Sequence, residues 1–138
     1  MARKLKNLKL PNNVEIFEIG VTGIDIIPLL EEYEKIIIID AVRFGSKPGT
    51  VYKMRINELI RKLEECTFEE KSIISLHDIG GAELLYILVK LLPELSRRDI
   101  MLVGVEISKP RVFSEMLSLE VRRSVDKIIK IVLEEIRR

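Results

Sequence analysis

The chain has 138 residues, 47% of them apolar and 33% charged, which supplies one core beneath a well-solvated surface and argues against disorder. A formal net charge of +1, with Lys and Arg interspersed among Glu and Asp, builds no face for a phosphate backbone, so no nucleic-acid partner is expected. No apolar run reaches the length of a membrane span, and the basic opening MARKLKNLKLPNN lacks the apolar stretch of a signal peptide, so a cytoplasmic protein without a membrane span is expected.

The pattern then alternates between two periods. VEIFEI (14–19) is short, β-branched and apolar, and predicts a strand. GIDIIPLLEEY predicts a turn and a short helix around Pro28. KIIIID (35–40) follows as a strand whose successive apolar residues imply burial on both faces of a sheet. After the turn-rich loop FGSKPG, TVYKM (50–54) alternates and predicts an antiparallel edge strand with one side open to water. INELIRKLEEC places Ile56, Leu59, Ile60 and Leu63 on one helical stripe. SIISL leads to the single histidine, His77, and GAELLYILVKLL, apolar nearly all round, predicts the most buried helix. DIMLVGVEI (99–107) is a second strand apolar on both faces. The closing helix sets Val121, Val125, Ile128, Val132 and Ile136 on one face with its charges opposite. Alternating strands and helices predict a single domain over 1–138, a three-layer α/β/α sandwich with a mostly parallel twisted sheet and one antiparallel edge strand.

In such folds ligands bind beyond the carboxyl ends of the parallel strands. Asp40 stands there, delivered out of an apolar run. It either accepts amides of the following loop AVRFG or serves a ligand. His77 follows SIISL in a comparable position, where a satisfied helix-capping histidine and a metal or catalytic ligand are both open. Together a carboxylate and an imidazole suit nickel, zinc or copper. They lack a nucleophile elbow, since the chain has no G-x-S-x-G. Cys66 is the lone cysteine and cannot form a disulfide within the chain; it reads as structural, with a catalytic thiol as the alternative. Gly20, Gly23, Gly45, Gly49, Gly80 and Gly81 sit at turns beside the strand ends, without the three-glycine spacing of a dinucleotide site. The absence of Gln and the abundance of Ile, Glu, Lys and Arg match hyperthermophile composition.

The order of IIIIDAV, PGTVY and SLHDIGG, within segments running from NNVEIFEIG to LSLEVRRSVDKIIKIVLEEI, resembles the hydrogenase maturation endopeptidases. The resemblance implies an endopeptidase that removes the C-terminal extension of a nickel-iron hydrogenase large-subunit precursor once nickel has been inserted. It matches Asp40 to the family's strand-end metal-ligand aspartate and His77 to its metal-ligand histidine. The nickel is borne by the substrate, and no attacking group is assigned. A non-catalytic homologue that binds the precursor without cutting it is the alternative.

One departure is large. The family's first strand and the acidic motif that supplies a third ligand have no counterpart here, and MARKLKNLKLPNN matches only the tail of the family's first helix. A start placed downstream of the natural one is the favoured explanation; a short form that only binds, or a substitute carboxylate such as Asp25, Asp78 or Glu106, are the others. IGVTG also stands where the family usually has a glycine doublet. Without that first strand, VEIFEI and KIIII are expected to pair with each other or with another chain, as in a homodimer that covers exposed sheet edges.

Overall fold

The computed structural model describes residues 2–18, 26–65, 81–107 and 119–137. A short helix α1 (Ala2–Lys6) leads through irregular chain to α2 (Ile26–Glu32), whose Pro28 lies in the first turn, where no helical hydrogen bond is lost. Strand β1 (Lys35–Val42), strand β2 (Val51–Arg55) and helix α3 (Ile56–Glu65) follow. Then come α4 (Gly81–Leu91), a 3₁₀ turn (Pro93–Arg97), β3 (Asp99–Glu106) and α5 (Leu119–Ile136).

The three strands lie in the order β1-β3-β2. β1 runs parallel to β3 with Asp40 opposite Gly104, and β2 runs antiparallel to β3 with Val51 opposite Val105. β3 is thus central, and every residue from Ile100 to Glu106 is buried. Each large aliphatic side chain so placed contributes about 2 kcal/mol through removal from water, which makes β3 the anchor of the sheet. Gly104 admits the crowding around it, since a Cβ there would stand 3.0 Å from Val42 Cγ1.

Both faces of the sheet are covered. On one, Ile100 and Leu102 pack with Ile26 and Leu30 of α2, Leu59 and Leu63 of α3, and Leu85 and Leu88 of α4. On the other, Met101, Val103 and Val105 pack with Leu5 of α1 and with Ile128 and Val132 of α5. The expected α/β/α layering and the antiparallel edge strand are therefore present, with one parallel and one antiparallel pairing.

Two expectations are corrected. Residues 14–18 form no strand. Val14 and Ile16 are half-buried, with Ile16 under the α5 face; the Val14 amide donates to the Pro11 carbonyl at 3.1 Å in a turn, the Tyr33 hydroxyl donates to Glu15 at 2.7 Å, and the Phe17 and Tyr33 rings meet edge to face. The outer edge of β1 consequently pairs with no described strand, and the predicted pairing of VEIFEI with KIIII does not form. Helix α4 is also less buried than its composition predicts. Ala82, Leu85, Leu88 and Val89 face the sheet, whereas Ile87 is 41% and Leu91 70% exposed.

Candidate functional site

The carboxyl end of the sheet is organised by two carboxylates at the ends of buried strands. β1 carries Asp40 to the start of α4. Its Oδ1 accepts the Ala41 amide at 2.8 Å, and its Oδ2 accepts the amide of Gly81, the first residue of α4. The second contact needs a glycine: a Cβ on residue 81 would stand 2.8 Å from Asp40 Oδ2 and 3.4 Å from Ile38 Cγ2. Burial pushes the Asp40 carboxyl above the ordinary aspartate value of 3.8, and the two amide bonds offset only part of that. No Lys or Arg among the described residues forms an ion pair with it. Asp40 is therefore a half-buried carboxylate oriented by neutral donors, with no compensating cation among the described residues.

Glu106, which ends β3, is 2% exposed and fully engaged. The Phe44 amide donates to both of its oxygens at 3.0 Å, the Gly45 amide to Oε2 at 3.3 Å, and the Tyr52 hydroxyl to Oε1 at 2.8 Å. Its backbone closes the same loop, with the Gly49 amide on the Glu106 carbonyl at 2.9 Å and the Glu106 amide on the Thr50 carbonyl at 2.8 Å. Gly45 and Gly49 take the left-handed conformations that such a turn requires, φ +96° and +92°. Phe44 and Tyr52 pack edge to face at 5.1 Å, and the Ser124 hydroxyl donates to the Gly49 carbonyl at 2.6 Å, tying the loop to α5. This donor set makes Glu106 a clamp for the loop that follows Asp40 and removes it as a substitute metal ligand.

Of the other residues singled out in the sequence, His77, Cys66, Asp25 and Asp78 lie outside the described residues. Asp40 is thus the one expected ligand whose surroundings are defined. Gly81 opens an eleven-residue helix and follows His77 by four positions, so its bond to Asp40 ties the chain that carries one expected ligand to the side chain of the other. Four residues reach at most about 14 Å. Among the described residues no group of three or more His, Cys, Asp or Glu side chains is placed to hold a metal, and no helix is long and apolar enough to cross a membrane.

Sequence reasoning missed two features. The Glu106 clamp leaves only a weak sign, a carboxylate ending a buried apolar strand. The role of Gly81 is hidden because its partner lies 41 residues away.

The amino end of the sheet holds a third buried carboxylate, Glu135 of α5, 0% exposed. Lys35 approaches it at 3.0 Å, Lys53 at 3.1 Å and Arg55 at 3.3 Å, while Arg55 also pairs with Asp99 at 2.7 Å. Burial opposes ionisation of Glu135, but the hydrogen bonds from Lys35 and Lys53 and the charges of Lys35 and Arg55 together outweigh it and hold its carboxyl at about 2.

Comparison with known proteins agrees with this architecture. The profile of the HycI hydrogenase maturation proteases matches residues 1–135. A protein of Methanocaldococcus jannaschii that carries the name of a hydrogenase maturation protease is 32% identical over 98% of this chain and 82% of its own length. Among solved structures, the [NiFe] hydrogenase maturation protease HybD of Thermococcus kodakarensis superposes with a TM-score of 0.63 at 27% identity, covering 96% of this chain and 83% of that one. The hydrogenase 2 maturation peptidase of a Thaumarchaeota archaeon gives a TM-score of 0.61 at 27% identity, over 97% and 83%.

Proposed function

The chain belongs to the hydrogenase maturation protease family, whose members process hydrogenase large-subunit precursors at the C-terminus, and from that premise we propose that Asp40 and His77 recognise the nickel already seated in the precursor. The metal is part of the substrate. Two protein ligands suffice for this task because the nickel arrives held by its own protein, and what the protease adds is a test of its presence and a fixed position for the chain to be cut. Imidazole and carboxylate are suitable donors for such a divalent ion.

The observation that supports the reading is the state of Asp40. A carboxylate that burial makes costly to ionise, that no described cation neutralises, and that two backbone amides hold in one orientation gains most from the approach of a divalent cation. Both residues belong to the single domain proposed over 1–138.

The test is the intact mass of a nickel-loaded large-subunit precursor after incubation with the wild-type chain, with Asp40→Asn and with His77→Ala. Wild type shortens the precursor by its C-terminal extension and both variants leave it full length. Shortening by the variants at the wild-type rate rejects the assignment. Persistent binding without shortening by wild type favours the non-catalytic alternative.

A further inference from the structure

We propose that Gly81 is a positioning residue for Asp40: the missing side chain at the first residue of α4 lets its amide close on Oδ2 and lock the carboxylate for the incoming nickel. The inference rests on the reading that Asp40 meets that metal. A carboxylate offers about four acceptor positions over its two oxygens. The Ala41 and Gly81 amides take one on each, which fixes the plane of the group and leaves one position per oxygen that no described donor fills. Outer partners of this kind set the orientation of a ligand, and their loss costs about 10- to 100-fold in metal affinity or activity. A side chain on residue 81 is accommodated at the expense of Asp40. Its Cβ would lie 2.8 Å from Asp40 Oδ2, while Ile38 Cγ2, packed against the core, stands at ordinary contact distance, 3.4 Å. The mobile partner is the carboxylate, so it must rotate and give up an amide.

The readout is the ratio of affinities for nickel-loaded and metal-free precursor, measured with the full chain. Loss of stability lowers both affinities together, whereas misplacement of Asp40 lowers only the first. Gly81→Ala is expected to reduce the ratio by roughly tenfold or more, towards the value of Asp40→Asn. Gly104→Ala is the control, because its Cβ would crowd Val42 at 3.0 Å in the same sheet without meeting the Asp40 carboxylate, and it keeps the wild-type ratio. A reduced ratio in Asp40→Asn with an unchanged one in Gly81→Ala overturns the role of Gly81. An unchanged ratio in Asp40→Asn overturns the nickel reading on which it rests. Amide hydrogen exchange on the wild-type chain tests the same point even if Gly81→Ala does not fold. The Gly81 amide stays protected when nickel-loaded precursor binds, and loss of its protection on binding overturns the proposal.

Discussion

The two ends of the sheet hold buried carboxylates in opposite electrostatic surroundings. At the amino end, Glu135 is ringed by Lys35, Lys53 and Arg55, so its charge is matched and its carboxyl falls to about 2. At the carboxyl end, the described donors to Asp40 are the amides of Ala41 and Gly81, and burial raises its carboxyl. A buried charge with its counter-ions in place is finished, and serves to pin α5 to the start of β1 and the second half of β2. One held by neutral donors is unfinished and invites a cation from outside. Glu106 stands between these cases: its donors are neutral, but there are two on each oxygen where Asp40 has one, and the group holds a loop.

The contrast is sharpest under substitution. Asp40→Asn is expected to lower processing of nickel-loaded precursor about a hundredfold or more, since a ligand itself outweighs the outer partners that orient it. Rates of precursor shortening at equal concentrations of folded protein measure this. Glu106→Ala acts on the fold. It leaves the Phe44 and Gly45 amides and the Tyr52 hydroxyl without their acceptor, and is expected to cost about 3 kcal/mol in urea unfolding. Glu135→Gln is expected to cost about 2 kcal/mol near neutrality, less than a fully buried pair because its lysines and arginine remain partly hydrated, and to leave processing per folded molecule unchanged.

The Glu135 effect carries a pH signature. A carboxyl lowered from 4.5 to about 2 in the folded chain contributes stability that is fully present above 4.5 and disappears as pH falls from about 4.5 to about 2. The difference in unfolding free energy between wild type and Glu135→Gln is therefore flat above that window and shrinks through it. A difference that grows on acidification contradicts the ion-pair account. The smallest effect is expected for Arg55→Lys, which loses the fork between Asp99 and Glu135 but keeps a charge at a half-exposed position. A loss of about 0.5 kcal/mol in thermal unfolding fits this.

Much of the layering was legible in the sequence because it depends on local periodicity. The continuous apolar run that became β3 and the Ile56, Leu59 and Leu63 stripe of α3 carry their burial in their spacing, and TVYKM forms the antiparallel edge, whereas the run that became β1 is only half-buried from Lys35 to Ala41. What failed was non-local. VEIFEI has a strand's β-branched, apolar composition, but a strand exists only where a neighbour offers backbone groups, and residues 14–18 meet Tyr33 and the α5-side core through side chains instead. Glu135 looked like part of the solvated face of α5, yet three cations from β1 and β2 converge to bury it. At the candidate site the position of Asp40 was legible, since an aspartate closing an isoleucine run must emerge at a strand end. Its lock on Gly81 was not, because nothing in the local sequence announces a contact spanning 41 residues.

The central claim is that the Asp40 carboxylate meets the nickel of the substrate. X-ray absorption at the nickel edge, recorded on the precursor alone and bound to wild-type or Asp40→Asn protein, tests it most directly. The account predicts an added oxygen or nitrogen neighbour of nickel on binding wild type, reduced with the variant. A nickel spectrum unchanged by binding of the wild-type chain contradicts it.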